Sequence, residues 1–461
     1  MSEPYDVVVV GGGVVGCAVA RELSHHRLQV ALVEARNDIG AGTSKANTAI
    51  LHTGFDATPG STEARLVARG YELLSGYASG AGISVEHTGA VLVAWDDEQA
   101  ATLPQLAQKA QANGYTRADV IDAAATRELE PNLGDGVTGG MVVPDEHIID
   151  PWAVPLAFAH DALANGCTIV TGFAVNAVDL GPEVTTLTAD DHRTLHTRFV
   201  VNAAGLQGDT LHRLMGFDGF TIRPRRGELI VFDKLARPLL DRTLLPVPTS
   251  HTKGVLVAPT VFGNVMLGPT ADDIDDRDAT GSTRAGLDAL LAKGRRIMPA
   301  LLDEEVTAVY AGLRAATEHS DYQLSAKPSA RYVCLGGIRS TGLTASMALA
   351  EEAIRLLAVS DLAPPKKRPD EIAHVHRTPL GEFGRRPYED GGSIVCHCER
   401  VTADEIREAC SAPLPSTDLD GVRRRTRALA GRCQGFHCSA EVCAIAAATD
   451  GRSMPTWMGR A

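Results

Sequence analysis

The chain has 461 residues, 44% of them hydrophobic and 22% charged, with a formal net charge of −13. That length exceeds what a single core organises, so two or three lobes are expected. The composition excludes disorder, and the acidic balance excludes nucleic acid or an anionic membrane as a broad electrostatic partner.

The opening MSEPYD is acidic and runs straight into an apolar stretch, so it lacks the basic n-region of a secretory signal and a cytoplasmic location is expected. The apolar run from Val7 to Ala20 carries four glycines and is too short to span a bilayer. It reads instead as strand Asp6 to Val10, turn Gly11 to Gly16 and helix Cys17 to Ser24, followed by a strand from Gln29 to Glu34. Gly11, Gly13 and Gly16 form GxGxxG inside this βαβ unit, and Glu34 closes the second strand. The first glycine permits a tight turn. The second, with Val14 opening the helix, lets backbone N–H groups approach a pyrophosphate, and the third lets helix pack on strand. Glu34 would accept from an adenosine ribose. The pattern points to a dinucleotide without separating FAD from NAD, and a plain glycine turn would use the same residues.

Helical spacing follows from Arg65 to Gly76 and from Glu98 to Ala112, with a strand from Thr88 to Trp95 between them. Helix Pro151 to Gly166, strand Thr168 to Thr171 and the run Phe199 to Ala204 signal a return to an α/β sheet. Residues 221–270 alternate apolar and polar positions, and Gly263-Asn264 marks a hairpin, so an antiparallel lobe is expected there. Strand Tyr332 to Leu335 leads through a small-residue turn into a helix ending near Ala358. Residues 361–392, rich in proline, glycine and charge, read as a linker.

The segments GTSKANTAILHTGFD (Gly42 to Asp56), FVVNAAG (Phe199 to Gly205) and GGIRSTGLTAS (Gly336 to Ser346) resemble the D-amino-acid-oxidase-like superfamily of FAD enzymes. TSKAN, VLVAPTVFGNVMLGPT and AGLRA resemble anaerobic glycerol-3-phosphate dehydrogenase large subunits and L-2-hydroxyglutarate oxidases in particular. The resemblance implies a Rossmann-like FAD-binding domain in three pieces, 1–83, 148–217 and 330–360. An antiparallel-sheet substrate domain in two pieces, 84–147 and 218–329, is implied beside it. It further implies that Thr43, Ser44, Ala46 and Asn47 run past the flavin, that Val175 meets the adenine edge through its backbone, and that Gly205 approaches the cofactor. Gly342, Leu343 and Thr344 begin a helix whose N–H groups can stabilise negative charge on a reduced flavin; an N-cap turn would use the same residues.

Cys396 and Cys398 form one tight pair, Cys433 and Cys438 another, and the remaining cysteines at 17, 167, 334, 410 and 443 read as packed thiols. Four thiolates suit a 2Fe-2S cluster or zinc. CHCERVTADEI and GRCQGFHC resemble the bacterioferritin-associated-ferredoxin-like domain, which implies iron–sulfur in a small helical module over 393–461. From residue 391 onward nine arginines meet eight carboxylates. Arg423, Arg424, Arg425, Arg427 and Arg432 precede the second pair and would either offset an anionic cluster or form a solvated helix face.

A flavin and a cluster in one chain imply a dehydrogenase that takes two electrons from a small, anionic substrate and releases them singly to an acceptor protein or quinone-linked partner. Any membrane association would then run through that partner. Arg314, in AGLRA, matches the superfamily's substrate-anchoring arginine, with a structural ion pair as the alternative. His52 is the candidate general base, or else a histidine that shapes the flavin pocket. Arg339, Thr341, His251 and Lys253 are weaker candidates. Phe55 and Asp56 stand where glycerol-3-phosphate dehydrogenases tend to carry arginine and tyrosine. A 2-hydroxy acid is therefore the preferred substrate, with glycerol 3-phosphate second, an amino or imino acid third, and a non-catalytic electron carrier as the reading from another class.

Overall fold

The computed structural model describes residues 3–248, 254–377 and 392–458. His251 and Lys253 lie outside the described residues. Strand Tyr5–Val10 sits at the centre of an eight-stranded sheet, with Val30–Val33 and Thr194–Asn202 parallel on either side. Val7 to Val10 are all buried, as a strand covered on both faces requires. Thr168–Val170 extends the sheet beyond Val30–Val33, and Tyr332–Gly336 runs parallel to the end of Thr194–Asn202. Gln323–Lys327, expected in the other lobe, joins this sheet by pairing antiparallel with Tyr332–Gly336.

Helix Val14–Ser24 packs against Ala153–Ala164 and Gly342–Val359, and the last also packs on Thr62–Ala81. The crossing of the latter two is close because a Cβ at Gly70 would collide with the Thr344 carbonyl. Caps decide helix lengths that periodicity understates: Ser61 accepts from the Ala64 N–H at the start of Thr62–Ala81, and Gly82 ends it in the left-handed region. Likewise, the first helix begins at Val14 rather than Cys17.

A second sheet has nine strands among the described residues and is built around the long antiparallel pair Ile222–Phe232 and Val306–Thr317. The expected hairpin joins Leu256–Pro259 to Val265–Gly268, with Gly263 at φ +90. One pairing departs from the antiparallel expectation, since Thr243–Pro246 lies parallel to Ala90–Ala94. These two strands come from segments far apart in sequence, and local alternation cannot report their relative direction.

The described part of the C-terminal module has a short strand pair, Ile394–Cys396 with Val401–Thr402, and the helices Ala403–Ser411, Leu419–Thr426, Ser439–Asp450 and Met454–Trp457. Val395, Ile406, Val422, Val442 and Trp457 form its own core. The described part of the linker is laid along the first lobe, where the Arg27 N–H donates to Pro365, Lys367 to His25 and Arg377 to Ala81. Among the described residues, no helix is long and apolar enough to cross a membrane.

Candidate active site and metal centre

The glycine turn is built as its spacing requires. Gly11 has φ +113, and a Cβ on Gly16 would run into the Gly11 carbonyl, so neither position accepts a side chain. Gly13 caps helix Val14–Ser24 with no side-chain hydrogen bond of its own. Instead the Val14 N–H donates to Ser44 Oγ at 2.9 Å, which ties the turn to the Thr43–Asn47 segment. Glu34 is buried, and its carboxylate accepts from the Gly12 N–H at 2.6 Å and the Arg36 N–H at 2.8 Å. Burial lifts its pKa above the ordinary value, against the pull of those two donors. Val175 begins the antiparallel edge strand Val175–Leu180, two residues after Phe173, whose N–H donates to the Glu34 carbonyl.

From the turn a cavity of about 490 Å³ opens between the two sheets. Gly13, Val14, Thr43, Ser44, Ala46 and Asn47 line one end of it. Gly205, Gly342 and Leu343 line it as well, and so do His52, Arg314 and Arg339. Gly11, Gly16, Glu34, Val175 and Thr344 do not. Thr344 is fully buried and accepts the His52 N–H at 3.0 Å, so its side chain braces the histidine rather than facing the cavity. Thr341 caps helix Gly342–Val359 with no side-chain hydrogen bond to it, because its hydroxyl is engaged by Glu63 and Tyr322, each at 2.6 Å. Two helix N-termini whose own N-cap residues offer them no side chain therefore adjoin one cavity, the first with its Val14 N–H held by Ser44, an arrangement suited to the pyrophosphate and the electron-rich ring of a flavin dinucleotide.

His52 has a partner that sequence reasoning missed. Strand Ile50–Leu51 pairs with His147–Ile149, and this register brings Glu146 beside His52, with Oε2 3.2 Å from Nδ1. Glu146 is buried, and its other oxygen accepts from the Thr53 N–H and hydroxyl at 2.9 and 3.0 Å. Oε2 has no hydrogen-bond partner among the described residues, and a proton on the facing Nδ1 would answer it and leave Nε2 free to accept. The two residues stand far apart in the sequence, so no local motif could have signalled the pair.

Arg314 lies directly across the strand pair from Arg225. Among the described residues Arg314 has no carboxylate partner; its one hydrogen bond goes to the Thr270 carbonyl at 3.4 Å. Burial, together with the neighbouring Arg225 charge, pulls its pKa down to about 10. Arg225 itself is held bidentate by Asp273 at 2.6 and 2.9 Å. Thr43 donates to the Leu313 carbonyl at 3.0 Å and so fixes the Thr43–Asn47 segment against the strand that carries Arg314. Arg339 is turned to Glu63 and the Ser320 carbonyl.

The four predicted cysteines are gathered in the C-terminal module. The Cys398 thiol lies near that of Cys433 and the Cys438 thiol near that of Cys396, so each spatial pair draws one thiol from each sequence pair. Among the described residues no three or more His, Cys, Asp or Glu side chains converge as a single-ion site. Two pairs of thiols suit the two irons of a 2Fe-2S rhomb. The His437 N–H, aided by the Cys398 thiol and the Gly435 and Phe436 N–H groups, holds the Cys433 thiol below its ordinary pKa. Gly431 is required here, since a Cβ would press into the Cys398 side chain. Cys17, Cys167, Cys334, Cys410 and Cys443 are buried, and burial raises each of their pKa values, as packed thiols require.

The arginines expected to compensate a cluster are largely engaged elsewhere. Arg424 and Arg425 are buried against Asp38 of the first lobe, and Arg427 pairs with Glu399 at 3.0 Å and covers the Phe262 ring at 3.8 Å. Arg432 reaches Glu305. They hold the module in place, a role set by partners that the local sequence does not contain.

Residues 6–356 match the model of the FAD dependent oxidoreductase (DAO) family. The chain belongs to that family. Residues 394–448 match the BFD-like [2Fe-2S] binding domain, so this FAD dependent oxidoreductase carries an iron–sulfur module as well. It is 33% identical to a glycerol 3-phosphate dehydrogenase of Caloramator mitchellensis over 96% of this chain and 94% of the relative. It is 27% identical to a subunit of the anaerobic glycerol-3-phosphate dehydrogenase of Escherichia coli K12, over 95% of this chain and 87% of that subunit. Mitochondrial L-2-hydroxyglutarate dehydrogenases match over a smaller share of the chain. Among solved structures, the dithionite-reduced L-alpha-glycerophosphate oxidase of Mycoplasma pneumoniae with FAD bound superimposes with a TM-score of 0.76 at 30% identity, over 80% of this chain and 98% of that one.

Proposed function

We propose that this FAD- and 2Fe-2S-dependent oxidoreductase dehydrogenates glycerol 3-phosphate at its secondary alcohol and delivers the electrons to an acceptor protein through the cysteine module. The observation that carries the reading is the position of Arg314, a half-buried cation without a carboxylate partner among the described residues, opposite Arg225 in the cavity that also holds His52. Asp273 neutralises Arg225, which leaves Arg314 as the guanidinium without a counter-charge among the described residues, and a substrate phosphate supplies one. The preference for a 2-hydroxy acid rests on Phe55 and Asp56. Both line the cavity, and Phe55 is buried as part of its wall; neither is a cation, and in this reading Arg314 takes the anion instead.

FAD, when bound, supplies the hydride acceptor, and the cluster supplies one-electron relay. The chain's own residues do the rest. Arg314 anchors the anionic end of the substrate, Phe55 forms part of the cavity wall, and His52 Nε2 takes the hydroxyl proton while Glu146 stabilises the imidazolium that results. Gly342 and Leu343 offer N–H groups where negative charge develops.

The test is anaerobic flavin bleaching. Glycerol 3-phosphate should bleach the protein, with L-2-hydroxyglutarate and amino acids far slower. Bleaching by L-2-hydroxyglutarate alone would overturn the phosphate assignment, and no bleaching by any of them would favour an electron carrier. Glu146→Gln should lower the bleaching rate roughly 10- to 100-fold, because His52 loses the charge that holds its tautomer and stabilises its protonated form. KM should change little, and an unchanged rate would reduce Glu146 to a packing residue.

A further inference from the structure

The surfaces of the two modules meet through a chain of alternating charges. Lys45 Nζ lies 2.6 Å from Asp420, and Asp420 accepts from Arg424 at 2.5 Å. Arg424 reaches across to Asp38, and Asp38 takes Arg425 bidentate at 2.7 Å on each oxygen. Asp38, Arg424 and Arg425 are all buried. The module-side members, Asp420, Arg424 and Arg425, share the single helix Leu419–Thr426, whose first turn Asp418 caps. The other two members sit on two separate stretches of the first lobe.

Those two stretches are the ones that shape the nucleotide site. Lys45 belongs to the segment in which Ser44 accepts from the Val14 N–H and Thr43 is fastened to the strand of Arg314. Asp38 belongs to the loop after Glu34, where the Gly40 N–H donates to the Gly12 carbonyl at 2.9 Å and Ile39 packs against the glycine turn. Gly421 sits so close to Asp38 that a Cβ would meet its carboxylate, so the helix backbone is pressed onto the loop. Thr417 adds a hydrogen bond to the Asn37 carbonyl at 2.7 Å.

We infer that helix Leu419–Thr426 is a clasp on the FAD site: by holding Lys45 and Asp38 it fixes the flavin-side and ribose-side segments together, which couples retention of FAD to integrity of the iron–sulfur module. The inference rests on FAD lying along Gly11–Gly16 and Thr43–Asn47. Asp420, Arg424 and Arg425 are then positioning residues, acting through segments of the other lobe. A buried carboxylate shared by two guanidinium groups has one geometry that satisfies it, and loss of either side leaves uncompensated charge, so the contact is stiff. Coupling of this kind is reciprocal: what the module does for FAD binding, FAD does for the module.

The deflavinated protein, titrated with FAD and followed by flavin fluorescence, tests this. Asp420→Asn, which cuts the Lys45 end while keeping shape, should weaken FAD binding several-fold, and Arg424→Met/Arg425→Met should weaken it by tenfold or more with iron content retained. Equal affinity in wild type and both variants overturns the clasp, whereas no FAD binding by the wild type would instead overturn the placement of the cofactor. Should the double variant fail to fold, the reciprocal measurement uses the wild type alone. Iron release to a chelator should be at least several-fold faster after FAD removal, and an unchanged release rate would count against the coupling.

Discussion

Arg314→Leu should lower kcat/KM for glycerol 3-phosphate roughly 100-fold, mostly through KM, while leaving FAD content and folding intact. Removing one partner of a buried, hydrogen-bonded charge pair costs about 2–5 kcal/mol, and about 1.4 kcal/mol is a decade in rate. The same change should not destabilise the free protein. Arg314 is desolvated beside Arg225 with its pKa pulled down, so an apolar side chain there relieves that cost. The combination discriminates between roles. A structural arginine would lose melting temperature with little change in KM, whereas an anion anchor loses KM with melting temperature held or raised. Steady-state kinetics with an artificial acceptor, together with thermal unfolding of the flavin-loaded protein, reads both.

Cys438→Ser should abolish the 2Fe-2S absorption and strip the iron while the flavin stays bound at saturating FAD, its affinity lowered through the clasp. The cluster needs four thiolates, and Cys438 is a buried thiol paired with Cys396. A serine hydroxyl left without a partner there costs about 1–3 kcal/mol, too little to unfold a module with its own core. Substrate should still bleach the flavin, since His52, Glu146 and Arg314 belong to the other lobes. Reoxidation by the physiological acceptor should fall to background. Iron and flavin analysis of the purified variant, followed by stopped-flow bleaching, checks the three outcomes separately. Reoxidation at the wild-type rate would remove the cluster from the electron route.

Elements with a local physical cause are legible without the structure. The βαβ unit, the glycine turn and the hairpin at Gly263 depend on residues a few positions apart, where sterics and period decide. Helix ends are less legible because caps such as Ser61 and Gly82 lie outside the apolar pattern. The strand Gln323–Lys327 joins a different sheet from the one expected for a related reason: a strand's own residues carry no information about its partner. In the site, Arg314 and His52 are legible as chemistry-bearing residues within family motifs. Their partners, Arg225 and Glu146, are not, since strand register alone brings them together. The arginines before Cys433 illustrate the same limit, because a basic run looks equally suited to a cluster or to a distant carboxylate.

By itself the sequence determined the dinucleotide turn, the four-thiolate set and, through its motifs, the pairing of FAD with a 2Fe-2S module. Each of these is a short-range pattern whose geometry is dictated by backbone sterics or by ligand count. Only the tertiary structure decided which thiols lie side by side, which carboxylate holds His52, which arginine lacks a counter-charge among the described residues and how the module is anchored. Those facts are relations between surfaces brought together by folding, and charge satisfaction across such a surface depends on distances that no stretch of sequence encodes.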